Sequence, residues 1–409
     1  MEQFYSCKHT IEGKRASPLG AHLDELAQHY TDAGYCRYQG RFQVRLAAEF
    51  GHWLCQQNLP LNEMDPRRRD AFLRERARRR KPLRVGATFF DVLCAIYRRK
   101  GLTVIEPVAD KKPVDRLVDG FDLYLRQERR VAAMTATRYA AMIRDWLSKA
   151  SVHGPSALTK LTAADIVADI QRRAQMHARK TVKLFISALR SFLRYARYRG
   201  YILQYLEDGI LPLADWSKRA IPRAISRQHI RQVLTHCDRR RGIGRRDYAI
   251  LLLFARLGLR AGEVTSLTLD DIDWNVGSLQ VRGKGSAGQL PLPKDVGQAI
   301  ADYLQRGRPR STCREVFLRS RAPAIGFKTS VAVVGVVARA LRRAGIASPS
   351  KGSHQFRHAL ASELLRHGAS LGEIGELLRH RNVQTTTIYA KVDLPALRTL
   401  AQPWMGGRS

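Results

Sequence analysis

Apolar residues recur at three- and four-residue spacing through most of this chain, a periodicity that restricts it to a largely helical fold. Near the N-terminus, within residues 20–58, HLDELAQHY and FQVRLAAEFGHWL show it. LVDGFDLYLRQERR, TATRYAAMIRDWLSKAS, TAADIVADIQRRAQ and ARKTVKLFISALRSFLRYARYRG each carry one apolar stripe across residues 113–204. Thr162 is placed to cap the third of these, which begins near Ala163. RRDYAILLLFARLG reads as a buried helix stopped at Gly258, and AGEVTSLTL, after Arg260, as a short second helix. SLQVRGKGSAGQLPLP then switches to a strand-like pattern around a Gly-rich turn, which predicts a hairpin. KDVGQAIADYLQRG, SVAVVGVVARALRRAG, SHQFRHALASELLRHG and SLGEIGELLRH return to the helical period. The expected class is mainly α with a small β-sheet, and no 20–50-residue repeat is visible.

At 409 residues the chain has room for two or three domains, each with its own core. Pro-containing, charged segments punctuate it at VIEPVADKKPVDR and LPLADWSKRAIPR. They divide it into an accessory region, 1–112, an all-helical unit, 113–204, a linker, 205–222, and a larger domain with a C-terminal tail, 223–409. No apolar run reaches membrane-spanning length, and the N-terminus has no signal-peptide organisation. The six cysteines are scattered without a CxxC pair, which points to reduced thiols in the cytoplasm. Cys7-Lys8-His9 has no second pair at ligand spacing to complete a zinc site.

Charge narrows the partner. Lys and Arg number 71 against 36 Asp and Glu, a formal net charge of +35. Such an excess repels itself unless a polyanion neutralises it; a ribosomal or heparin-like binder would show the same balance, and it is the ordered catalytic residues read below that make double-stranded DNA the expected partner. In the last helix of the 113–204 unit, Arg179, Lys183, Arg190, Arg194 and Arg197 fall within an arc of roughly 60°, with Lys180 nearby. Val182, Phe185, Leu189, Phe192 and Leu193 take the other side, leaving those cations to meet phosphates. The run PRRRDAFLRERARRRKPLR, Pro66 to Arg84, reads as a solvated helix face, a flexible arm or a DNA contact, with contact favoured.

Chemistry concentrates near the C-terminus, where His354-Gln-Phe-Arg357-His358 is followed by His380 and Tyr389. LGLRAGEVTSLTLDDID, the Lys284 hairpin, HQFRH and LLRHRNVQTTTIYA occur in this order between Leu257 and Ala390. Together they resemble the tyrosine recombinase (phage integrase) family, over about 280 residues. The resemblance implies an all-helical core-binding domain and a mainly helical catalytic domain that clamp opposite faces of DNA. Arg260 and Arg357 match the family's two arginines; His380 matches a position held there by His or Trp. His354 is implied to donate to the phosphate or shuttle protons near the nucleophile. Glu263 matches a supporting acidic position, and His358 is expected to buttress the site as a packed helix residue. One departure is Arg379, where the family usually has Gly; a phosphate contact or an altered loop is expected there.

Each role has a physical reason. A phosphodiester transition state gathers charge on its non-bridging oxygens, which two guanidiniums meet with planar, permanently charged donors. A leaving alkoxide needs a proton, and Lys284 sits at the predicted hairpin tip to supply it. Arg282, close by, holds its protons too tightly for that task. Tyr389 is the expected nucleophile, forming a 3′-phosphotyrosyl link without cofactor or metal. The expectation is a site-specific recombinase or integrase of a mobile element, a homotetramer on two DNA sites, with accessory recombination proteins as further partners. The rivals are a non-catalytic DNA-binding regulator with the same fold and a type IB topoisomerase-like enzyme. The tail VDLPALRTLAQPW is expected to dock on a neighbouring protomer, and region 1–112 to serve as arm-type DNA-binding or protein-interaction domain.

Overall fold

The computed structural model describes residues 1–79, 88–105, 112–211, 223–283, 286–348, 350, 352–380 and 382–392. Lys284, positions 80–84 of the basic run, most of the 205–222 linker and the tail from 393 onward lie outside them. Two compact units form, one of Met1–Glu106 with Arg219–Ser409 and one of Pro107–Lys218.

The N-terminal part of the first unit contains α1 (Lys8–Arg15), α2 (Gly20–Asp32) and α3 (Arg37–Gln56), then β1 (Glu63–Met64) and α4 (Pro66–Arg79). It closes with α5 (Phe89–Arg99) and β2 (Thr103–Val104), whose two residues pair in parallel with β1. Its core is its own: Phe50 sits among Phe72, Phe89 and Phe90 at centroid distances of 5.3, 5.6 and 5.9 Å.

The second unit comprises α6 (Pro113–Gln127), α7 (Ala133–Lys149), α8 (Ala163–Met176) and α9 (Arg179–Tyr198). Thr162 caps α8 as expected, its side chain accepting from Asp165 N–H while Asp165 reaches back to the Thr162 N–H. The core extends past 204, because Leu206 and Ile210 return over the bundle and bury themselves in it. That return corrects the basic face read from the sequence. Arg190 donates to the Ile210 carbonyl, and Arg197 pairs at 3.0 Å with buried Glu207 while stacking 4.1 Å from the Tyr205 ring. Periodicity places side chains on a helix face but does not foresee a later segment crossing it. Arg179, Lys180, Lys183 and Arg194 stay exposed.

The C-terminal part of the first unit begins with α10 (Arg227–Thr235) and the largely buried α11 (Gly242–Leu257). Gly258 ends α11 at φ +57°, a left-handed turn that suits glycine, and Arg260 then opens α12 (Ala261–Ser266). β3 (Ile272–Asp273), β4 (Ser278–Gly283) and β5 (Ser286–Pro291) form an antiparallel sheet in that order, the β4–β5 hairpin closing with Gly283 opposite Ser286. α13 (Lys294–Arg306), α14 (Ser330–Arg343), α15 (His354–Arg366) and α16 (Leu371–Leu377) complete it, followed by 3₁₀ turns at Val383–Thr385 and Thr387–Val392. α11 packs on α13, α14 and α15, so the ends of α11 and α15 and the loop after α16 converge.

Candidate active site

The C-terminal end of α11 and the first turn of α15 lie together because Phe254 and Phe356 are both buried in one core. This contact brings Arg357 under the Gly258 turn. Its guanidinium donates to the Gly258 carbonyl at 2.7 Å and to the Leu378 carbonyl, and only 3% of the residue is exposed. Each terminal nitrogen keeps a second N–H for another acceptor. Burial and the neighbouring Arg260 pull its pKa down to about 10, so it stays charged at neutral pH.

Arg260 is held from behind by Glu263, one helical turn on. The carboxylate accepts the Arg260 backbone N–H at 2.8 Å and its guanidinium at 2.7 Å. A second N–H of Arg260 reaches the Arg379 carbonyl at 3.2 Å. Glu263 is itself buried, which alone would raise its pKa, but the Arg260 backbone and the Arg379 and Arg260 guanidiniums hold it below the ordinary value. It therefore carries a full negative charge among cations.

Arg379 departs from what the sequence led us to expect. Its guanidinium turns inward to Glu263 at 2.8 Å with a side-chain exposure of 7%, an ion pair in place of the expected outward-facing cation. Arg379 sits at φ +52°, the left-handed region that an arginine adopts only under compensation. That conformation explains in physical terms why glycine suits this position. Arg379 also runs along β5, where a Cβ on Gly288 would stand 3.0 Å from its Cδ. One side chain thus touches the hairpin, Glu263 and the loop leading to His380.

The histidines divide by environment. His354 is exposed at the rim, yet the protein packed behind it, with Arg357 and Arg260, lowers its pKa. His380 Nδ1 lies 2.7 Å from Thr386 Oγ1, and burial with the nearby guanidiniums takes it down to about 4. His358 does more than buttress the helix: its Nδ1 is 3.0 Å from the Tyr389 hydroxyl, and burial followed by His354 lowers its pKa too. The sequence offered one signal for this, since position 358 directly follows Arg357 and so points off the same turn. Tyr389 itself is 1% exposed, packed with Ala361, Ile374 and Leu378, and burial pushes its phenol up to about 12. The structure thus gathers Arg260, Glu263, His354, Arg357, His358, His380 and Tyr389. Lys284 lies outside the described residues, but Arg282 before it is tied to buried Asp271 at 3.0 Å.

Three imidazoles held neutral make stability pH-dependent in a definite direction. Their folded pKa values lie below the ordinary imidazole value of about 6.5, so the unfolded chain binds more protons as pH falls. The stability they contribute is complete above that value and is lost as pH drops toward about 4, the His380 value. Thermal melts between pH 7 and 4.5 are expected to show a shallower decline in His380→Gln than in the wild type; parallel curves would refute the assignment.

A family model described as "Phage integrase family" matches residues 223–394, and one described as "Phage integrase, N-terminal SAM-like domain" matches residues 118–200. The y4rA protein of Sinorhizobium fredii, whose name carries the words integrase/recombinase, is 44% identical over 408 residues, 99% of this chain and 99% of its own length. Tyrosine recombinase XerC of Pseudomonas fluorescens is 28% identical over 292 residues, 70% of this chain and 95% of its own. Among solved structures, the XerH site-specific recombinase bound to a palindromic difH substrate, a post-cleavage complex, is similar in fold. Its TM-score is 0.55 at 17% identity, over 73% of this chain and 99% of that one. Among the described residues no helix is long and apolar enough to cross a membrane.

Proposed function

This chain belongs to the phage integrase family of tyrosine recombinases, enzymes that cleave and rejoin DNA, and we propose that it does so through a 3′-phosphotyrosyl intermediate formed on Tyr389. The observation that carries the reading is the hydrogen bond between His358 Nδ1 and the Tyr389 hydroxyl, beside two guanidiniums fixed by a buried carboxylate and backbone carbonyls.

The chemistry follows from that geometry. Arg260 and Arg357 take the non-bridging oxygens of the scissile phosphate, their orientation already set before substrate arrives. A phenol near pKa 12 is a poor nucleophile until it loses its proton. Neutral His358 is the base in reach, and His354 faces it at 6.5 Å between ring centroids, able to pass the proton on. Neutral His380, its Nδ1 beside Thr386 Oγ1, donates the N–H of its other ring nitrogen to the charge that develops on the phosphate. Lys284 protonates the departing 5′-oxygen. The phosphotyrosyl bond conserves the energy of the bond broken, so a 5′-hydroxyl from another strand reverses the step without ATP. His358→Ala is expected to slow formation of the covalent adduct about 10²- to 10³-fold while DNA affinity holds; adduct formation at the wild-type rate would return the base role to His354.

DNA is gripped in part by the exposed cations of α9, Arg179, Lys180, Lys183 and Arg194. Arg194→Ala is expected to lower the slope of log K against log salt by about 1, with stability changed by less than about 0.5 kcal/mol. Arg197→Ala, which strands buried Glu207, costs about 2 kcal/mol of stability instead. Reversed outcomes on denaturation and salt titration would return Arg197 to the DNA face.

Four protomers act on two sites, two at a time, in the cytoplasm, moving a mobile element with helper proteins. A nicked duplex carrying the element's ends, assayed in parallel with a closed supercoiled circle, separates this reading from its rivals. Strand exchange between two duplexes supports recombination, relaxation of a single supercoiled circle by monomers supports the topoisomerase, and tight binding without any covalent adduct supports the regulator.

A further inference from the structure

The most basic run of the chain is largely neutralised where it folds. On α4, Arg68 pairs with Glu63 at 3.0 Å, Arg76 with Glu49 at 3.0 Å and Arg79 with Glu75 at 2.7 Å. A quieter set of cations in the same N-terminal part is not. Lys14 of α1 and Arg37, Arg41 and Arg45 of α3 line a cleft of about 660 Å³ whose walls include Tyr5 and Tyr38.

Four-residue spacing sets the three arginines in one row on α3, about 6 Å apart along its axis. Lys14 Nζ and the Arg41 guanidinium each lie 5.2 Å from the centroid of one and the same Tyr5 ring. That ring is buried and its hydroxyl donates to the Arg41 carbonyl at 3.0 Å, so the floor is fixed. Two cations sharing a ring repel each other, and cation–π attraction offsets this by only about 0.5–1 kcal/mol each. The nearby carboxylate, Glu49, stands 3.7 Å from Arg45 and is already bound by Arg76. Among the described residues Lys14, Arg37 and Arg41 form no ion pair, and Tyr38 is 74% exposed beside them.

We propose that this cleft is a second binding site for the phosphate backbone of duplex DNA, apart from the residues around Tyr389. A small phosphate would need donors converging on one point. A row about 12 Å long fits an extended polyanion with successive charges. The inference rests on the reading that the chain acts on DNA, which supplies that polyanion wherever the enzyme works.

The test uses the full chain and a random-sequence duplex, titrated by fluorescence anisotropy at several salt concentrations. The combined variant Lys14→Gln, Arg41→Gln, Arg45→Gln is expected to lose about tenfold or more in affinity, with the salt slope reduced by about 2.7. In parallel, acetylation of the wild-type chain, read residue by residue by mass spectrometry, is expected to drop at Lys14 when duplex is added. That second arm needs no variant to fold. Duplex binding by the wild type with unchanged slope in the variant and unchanged labelling of Lys14 overturns the inference and leaves the proposed function standing. A wild-type chain that binds no duplex overturns both. Protection of Lys14 by single-stranded RNA but not by duplex DNA overturns the choice of partner.

Discussion

Tyr389→Phe is expected to abolish the covalent protein–DNA adduct on a nicked substrate, a loss on the order of 10⁶-fold in rate, while DNA affinity stays within about twofold. The hydroxyl is the only atom removed, and in the resting arrangement it contacts His358 rather than a surface open to DNA. Phenylalanine fills the same buried space among Ala361, Ile374 and Leu378, so the cost in stability is confined to one hydrogen bond, about 1 kcal/mol. Denaturing gel electrophoresis after incubation with labelled DNA reads the first effect and anisotropy the second. An adduct that survives in Tyr389→Phe moves the nucleophile elsewhere and removes the basis of the mechanism.

How much of this was legible beforehand depends on whether the determining interaction is local. Thr162 with Asp165, Gly258 after α11 and the antiparallel pairing of β4 with β5 are decided within a few residues, and the structure has them where the sequence places them. α1 and the two-residue pairing of β1 with β2 were not anticipated, since neither has a periodic run long enough to read. Arg190 and Arg197 were misjudged for a different reason: their partners, Ile210 and Glu207, arrive from a segment whose path no helical wheel contains. At the site, the residue types pointed to phosphoryl chemistry, but their pairing did not. His354 and His358 lie one turn apart on the same face of α15, and only the position of the turn Thr387–Val392 decides which meets Tyr389. Arg379 was legible as an anomaly and not as an ion pair, because Glu263 stands 116 residues away.

That ion pair makes Glu263→Gln the substitution with the largest expected effect on the folded state. The side chain is 2% exposed and accepts three hydrogen bonds from two arginines. Glutamine keeps one acceptor oxygen and turns an N–H toward a guanidinium, leaving two cations without their shared anion. Breaking a buried pair in this way costs about 3–5 kcal/mol, and the melting temperature should fall accordingly. Arg260 then loses its support, so adduct formation is expected to fall about 10²-fold beyond any loss explained by unfolding. A second substitution separates charge from packing. Arg379→Gly removes one of the two stranded cations and relieves the positive φ, worth about 1 kcal/mol. Glu263→Gln should therefore destabilise an Arg379→Gly background less than it destabilises the wild type, by at least about 1 kcal/mol. Equal penalties in both backgrounds would mean that Glu263 serves Arg260 alone and that Arg379 is a bystander at the site.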